Sequence, residues 1–307
     1  MRRVCHVTDI CALDSLPCHE MTNLSGYTRA HRFLSLSLSV SVRACTQSVY
    51  FLCYVPWLIL DAMPSMHKYK IQPDKVNDLP QQMRCLRQLI FSHIFIQFPM
   101  MLTFHLVVDL FGFQIAGPLP AFSQLLWQIP AFLVIEDFYF YWMHRFLHWK
   151  KIYKYVHKVH HEHKSPFGIT AEYAHPIETV VLGLGTLLGP LLLCRHLFTL
   201  WVYLGVRLWE TVEDHSGYDV PFNPTNLIPF WGGPVHHDFH HKTFDGPYSS
   251  IFTYCDYLFG TDKKWREHQR KLRARGEESV FYPAVFRGAP NMKAVEAAAQ
   301  GEAKKAN

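Results

Sequence analysis

Three short histidine patterns carry the chemistry this chain can do. They are HRFLH (His144 and His148), HKVHH (His157, His160 and His161) and HHDFHH, in which His237, His240 and His241 repeat the second spacing. Offsets of three and four residues put side chains on one face of a helix. A neutral imidazole presents one ring-nitrogen lone pair, so two or three on a face form a metal-binding edge. The stretch from His144 to His163 holds six histidines in twenty residues, and 13 of the chain's 20 histidines fall between His144 and His241. At that overall frequency, chance gives roughly 1.3 copies of HxxxH but only roughly 0.08 of HxxHH, and motifs are judged against such expectations. Two copies of HxxHH following HxxxH therefore mark a site.

Eight imidazoles exceed what one ion takes, since zinc is satisfied by four ligands. They suit two metals with four or five ligands each and a position left open. Imidazole serves Fe, Zn, Cu and Ni, so the ligands alone do not name the metal. Neutral ligands leave the full cationic charge on the ions and favour an anionic oxygen species. A loose metal-buffering tract would be of low complexity, whereas these clusters sit among aromatics in YWMHRFLHW and IYKYVHKVHHEH, as an ordered site requires. His215, in VEDHSGYD, is the candidate ninth ligand, and His175, in EYAHP, is a further candidate near the metals. Glu172, Glu213 and Asp214 are candidate acceptors for the ligands' outward N–H groups, which set tautomer and ring orientation. His163 and His236 adjoin the motifs but fall off the best face. His19, His31, His67 and His268 read as solvated, and His93 and His105 as polar groups facing a helical bundle.

Membrane helices must position these clusters. The chain is 49% hydrophobic and only 18% charged, against the usual quarter charged. A net charge of +5 gives no basic footprint for nucleic acid. The eight cysteines form no CxxC pair and read as free thiols. Residues 1–45 are atypical and Ser-rich, with no helical stripe. Val49–Met63, interrupted by Pro56 and Asp61, suits the membrane interface. Leu89–Phe113 is long enough to cross a bilayer, Gln114–Pro120 is an uncharged turn, and Ala121–Met143 returns. Asp109, Glu136 and Asp137 must face protein there. A third apolar block, Ile177–Trp209, must cross an even number of times for His237 to share a side with His144, so 177–212 is expected to be a hairpin with its apex near Arg195. Basic residues follow the second helix and the third block and are missing from the turn at 114–120, which puts the clusters in the cytosol. The expected fold class is an all-α integral membrane protein, with transmembrane helical hairpins carrying a cytosolic, helical, His-rich di-metal domain. Its parts are the segment 1–45, anchor helices over 46–143, the catalytic region 144–275 and a tail over 276–307.

These motifs resemble the fatty acid hydroxylase/sterol desaturase superfamily. HKVHHEHKSPFGITAEYAHP (His157–Pro176), HSGYDVPFNPTNLIPFWGGPVHHDFHH (His215–His241) and FGTD (Phe259–Asp262) are most similar to its sterol C4-methyl oxidase branch. Two features depart from that pattern: the first 45 residues, and Pro247 where the branch places Asn. The resemblance implies two iron ions held by the motif histidines, with O2 and NAD(P)H-derived electrons as co-substrates. It implies stepwise oxidation of a sterol 4-methyl group to alcohol, aldehyde and carboxylate. Implied partners are sterol, membrane lipid, cytochrome b5 with its reductase, and other sterol C4-demethylation enzymes, but no nucleic acid. The implied location is the endoplasmic reticulum membrane, crossed several times. Lys304 and Lys305, in AKKAN at the end of the chain, resemble a dilysine retrieval signal read by a receptor. A sterol C5-desaturase or fatty acid hydroxylase would share the ligand set. A membrane zinc transporter or metal store would instead place ionisable residues deep in several spanning helices.

Overall fold

The computed structural model describes residues 46–275 except 76, 115–117 and 222, so the 1–45 segment and Lys304 and Lys305 lie outside the described residues. Among the described residues the chain is helical, and its only β pairings are isolated bridges.

Helix α1 (residues 46–62) is two-faced. Tyr50 and Tyr54 are buried with Phe167, Ile169 and Val212, while Leu52, Val55 and Ile59 are exposed. A helix α2 (Leu79–Ser92) opens at Asp78, whose side chain accepts from the Gln81 N–H, with Pro at the start. Both features pre-form a helix N-terminus. It relaxes through a π-turn (His93–Gln97) into α3 (Phe98–Leu102) and α4 (Phe104–Phe111), which ends at Gly112 with φ +63°. That left-handed closing residue is the usual role of glycine. The apolar run from Leu89 is thus the later part of a longer helical path that begins ten residues earlier, at Leu79.

Helix α5 (Phe122–Leu147) then runs back for 26 residues, with His144 in its last turn and His148 as its C-cap, a length of about 39 Å at 1.5 Å per residue. The short α6 (Lys150–Tyr153) follows. Helices α7 (Pro176–Gly183) and α8 (Gly185–Leu193) go out again, and α9 (Leu197–Asp214) returns. Among the described residues, two stretches are long and apolar enough to cross a membrane, Leu79–Val108 and Pro176–Leu193. Phe91, Ile94, Phe95, Leu126, Trp127 and Leu192 are exposed along these helices and α5, as lipid-facing residues would be.

Small residues set the helix spacing. A Cβ on Gly189 would meet the Phe132 backbone at 2.8 Å, and one on Gly185 would meet the Tyr139 ring at 2.6 Å. The pair Gly185 and Gly189, one turn apart, thereby lets α8 lie directly on α5, as small residues do between membrane helices. Glu136 and Asp137 on α5 are both buried, so they face protein. At the far end the two loops are joined. Gln114 N–H donates to the Arg195 carbonyl (2.7 Å), Leu197 N–H to the Gln114 carbonyl (3.1 Å), and the Arg195 guanidinium to the Phe111 carbonyl (3.0 Å).

The third histidine pattern lies on α10 (Gly233–Thr243), which is followed by α11 (Tyr254–Phe259) and α12 (Lys263–Ala274). The second pattern departs from the expected helix. Residues 154–159 form turns, and His160–Glu162 is a single 3-10 turn. The Lys158 N–H reaches back five residues to the Tyr153 carbonyl (2.8 Å), which widens the coil before it tightens.

Candidate metal centre

Nine histidines converge in two groups. His144, His148, His157, His161 and His240 form one; His160, His215, His237 and His241 form the other, with the ligand atoms of each group within 4.8 Å of one another. The end of α5 supplies His144 and His148, the turns after α6 supply His157, His160 and His161, the residue after α9 is His215, and α10 supplies the rest. Adjacent residues serve different groups: His160 and His161 part company, and so do His240 and His241. The HxxHH spacing thus splits each run between two centres.

The Nε2 atoms face inward. In the first group, His144 and His157 Nε2 lie 2.9 Å apart, His157 and His161 3.0 Å, and His161 and His240 3.2 Å. In the second, His215 and His237 lie 3.0 Å apart, and His237 and His241 3.1 Å. The Nδ1 atoms face outward. His144 Nδ1–H donates to the Tyr248 carbonyl (2.7 Å), His160 to that of Tyr173 (3.1 Å), His215 to that of Thr211 (2.7 Å) and His241 to that of His163 (3.0 Å). A carbonyl only accepts, so these four rings carry their proton on Nδ1 and a bare lone pair on Nε2. Bare lone pairs about 3 Å apart repel one another, and a shared cation turns that repulsion into coordination. The donor set therefore fits one metal per group. Burial holds these imidazoles in the neutral form that ligates: it pushes His160 down to about 4, and His237, His240 and His241 well below the usual imidazole range.

Residues that the spacing left at the margin take other places. His175 accepts the Ile177 N–H (3.2 Å) and caps α7 outside both groups. Glu172 accepts from His93 (2.6 Å) and Gln97 (2.9 Å). Glu213 accepts from Asn223 and from Thr225 (3.2 Å). Asp214 is buried beside His215. His163 and His236 are both buried, and the His163 carbonyl faces His241 Nδ1. The carboxylate that meets a motif histidine side chain is one the motifs do not reveal: Glu178 Oε1 lies 2.8 Å from His157 Nδ1, both fully enclosed. Its signal was available as the single acid within the apolar run 176–194. Asp256 was also not apparent. It takes the Tyr248 and Ser249 N–H groups (2.7 and 2.9 Å), fixing the carbonyl that orients His144.

Beside the histidines lies a cavity of about 360 Å³, whose apolar wall includes Met101, Phe104, Leu182, Leu187, Leu200 and Leu204, and whose inner end includes His144, His157, His160, His215 and His237. An apolar chamber lined in part by both histidine groups suits a large hydrophobic molecule with one end beside those groups.

A family model for fatty acid hydroxylases matches residues 129–261, which include every one of the nine histidines. The chain is 55% identical over 216 residues to a Dictyostelium discoideum protein provisionally named a methylsterol monooxygenase, covering 70% of this chain and 80% of that one. It is 44% identical to rat (Rattus norvegicus) methylsterol monooxygenase 1, over 76% of this chain and 80% of the relative. It is 39% identical to the C-4 methylsterol oxidase of Schizosaccharomyces pombe, over 75% and 78% respectively. No solved structure matches the chain.

Proposed function

Because this chain belongs to the methylsterol monooxygenases of the fatty acid hydroxylase family, we propose that its two histidine groups each hold an iron ion and that a sterol is oxidised at its C4 methyl group beside them. It is an oxidoreductase of the monooxygenase class, and sterol C4-methyl oxidation is its reaction. The observation that carries the di-iron reading is the inward set of Nε2 atoms, five in one group and four in the other.

Each round takes one O2, two electrons and two protons, leaves one oxygen on the methyl carbon and releases the other as water. The first round gives the alcohol, the second the aldehyde hydrate, which loses a further water to leave the aldehyde, and the third the carboxylic acid, which ionises to the carboxylate. A methyl C–H has no useful acidity, so a base cannot begin the reaction, and iron supplies the O2-derived oxidant. The protein's own residues position. Glu178 and the Tyr248, Tyr173, Thr211 and His163 carbonyls fix the imidazoles, which holds a donor set in place without reorganisation. The apolar wall takes the sterol rings from the bilayer and keeps water from the reacting carbon.

Membrane association follows from the two apolar helices and from the kind of relatives the chain has. The finer reading is a multi-pass protein of the endoplasmic reticulum with both iron sites on the cytosolic side, receiving NAD(P)H electrons through cytochrome b5 and its reductase. The basic residues at 150, 151, 154 and 158 suit an acidic donor. The test is reconstitution in lipid with a 4,4-dimethyl sterol, O2 and a reductant. We expect two irons per chain, turnover to the 4-carboxylate, and loss of both on chelation. Zinc should fill the groups without restoring turnover. Turnover by the zinc form would overturn the redox reading.

A further inference from the structure

The apolar cavity carries one cluster of charged groups apart from the histidines and their direct partners that bridges both metal groups. Arg207 on α9 donates from Nε to Glu136 Oε1 (2.9 Å), from Nη1 to Glu210, and from Nη2 to Ser250 Oγ (3.1 Å). Tyr203 donates to the other oxygen of Glu136. All five residues are buried, and Arg207, Glu136 and Ser250 line the cavity. Such a cluster is costly among apolar helices unless it has a task.

Its position is tied to both histidine groups. Ser250 stands two residues after Tyr248, whose carbonyl orients His144. Thr211, one helical turn after Arg207 on the cavity wall, orients His215 through its carbonyl. The Phe140 ring lies between, 5.1 Å from the His144 ring and 5.9 Å from the Arg207 guanidinium. His144 belongs to one metal group and His215 to the other, so the cluster sits on the wall that both groups share. It is also rigid. Asp137, the neighbour of Glu136, accepts the Ile251 N–H (2.9 Å) and holds the loop that carries Ser250.

A sterol has one oxygen near its reacting methyl group, the hydroxyl on C3, next to C4. Whatever binds that hydroxyl must therefore sit beside the metal groups and offer it a hydrogen bond, as donor or as acceptor. We propose that Ser250, backed by Arg207, binds the C3 hydroxyl of the sterol and thereby fixes which methyl group faces the metals. Ser250 Oγ accepts from Arg207 and keeps its own O–H to give. Arg207 spends three of its five N–H donors on protein and has two more. Glu136 and Glu210 more than offset the single charge of the guanidinium, so the site suits a neutral hydroxyl better than an anion. This inference rests on the sterol reading above.

Binding and turnover separate the two ideas. Metal-loaded protein in lipid nanodiscs is titrated with a 4,4-dimethyl sterol and with its 3-deoxy analogue, for wild type, Ser250→Ala, Ser250→Cys and Glu172→Gln. Wild type should bind the analogue about tenfold more weakly or worse, the effect of one lost hydrogen bond to a charge-backed donor. Ser250→Ala should bring the two ligands to within about twofold by weakening the sterol, with thermal transition and iron content as in wild type. Should Ser250→Ala fail to fold, Ser250→Cys, near in size and a poor donor, must show the same loss of discrimination. Glu172→Gln, at the other polar station of the cavity, should keep the full tenfold. Equal binding of both ligands by wild type, or full discrimination in the folded Ser250 variants, overturns the proposal. So does loss of discrimination in Glu172→Gln alone. Failure of wild type to oxidise the sterol at all would instead overturn the function reading.

Discussion

His157 Nδ1 lies 2.8 Å from Glu178 Oε1, with both side chains enclosed, and this pair links the turn-built histidine pattern to the start of α7. The carboxylate fixes the ring so that Nε2 turns toward His144 and His161. Such an outer partner governs ligand basicity as well as angle. Glu178→Leu should lower iron affinity of the first group or turnover by about 10- to 100-fold. Glu178→Gln, which keeps the shape, should lose less. Iron content after equilibrium dialysis reads this directly, and unchanged retention in both variants would remove Glu178 from the site.

The two groups predict different losses from single ligands. His240→Ala removes one of five inward nitrogens from the first group, and His160→Ala one of four from the second. Each should lose turnover and hold about one iron fewer, with the protein still inserted in membranes, because the truncated ring leaves the other centre its own ligands. Full oxidase activity in either variant would contradict a shared di-metal site.

The histidines were legible because they repeat, and a repeat can be weighed against chance in a single sequence. His215 was legible only through its place straight after an apolar block. The splitting of each HxxHH between two centres was not, because spacing gives a shared face but not which neighbour a ring meets. Glu178, Asp256 and Arg207 are single residues, and a single charge does not name its partner. Three charges that build the cavity wall, Glu136, Glu178 and Arg207, did leave a trace as ionisable residues inside apolar runs. The π-turn at His93–Gln97 and the turns over 154–159 escaped because helical periodicity continues in the residue pattern while the hydrogen bonds change register. The close approach of Gly185 and Gly189 to α5 is visible only in the fold, since glycine alone merely weakens a helix.

Asp256 should matter at a distance from the metals. It accepts the part-buried Tyr248 N–H, the buried Ser249 N–H and the Thr261 hydroxyl (2.6 Å). Asp256→Ala leaves those donors without their acceptor, at about 1–3 kcal/mol for each that stays unsatisfied. It also frees the Tyr248 carbonyl that orients His144. We expect a lower thermal transition together with weaker iron retention in the first group. A lower transition with normal iron content would confine Asp256 to folding.

The paired loops give an orientation test. Phe111, Gln114 and Arg195 hydrogen-bond one another at the end of the helices remote from the histidines, so both hairpin tips should lie in one compartment. The distribution of basic residues predicts the lumen for that compartment. An Asn-x-Ser acceptor placed between Gln114 and Pro120 should be glycosylated in microsomes, and one placed beside Lys150 should not. The reverse pattern would turn the protein over and put the iron sites in the lumen.

The tail supplies the last expectation, since Lys304 and Lys305 stand fourth and third from the end of the chain. Two charges at fixed distances from a free carboxylate form an address read by a cytosolic receptor, not an anchor. With the hairpin tips in the lumen, the tail is expected in the cytosol, where such a receptor acts. A solvated basic end has the same composition, and the two differ in what substitution does. Lys304→Ser with Lys305→Ser should release part of the protein to the Golgi, as complex glycans on the reporter acceptor at 114–120 would record, while activity in detergent stays at the wild-type level. Retention as tight as wild type would leave the membrane helices or partner enzymes as the cause of residence, because removing both charges abolishes the address whatever else the tail contains.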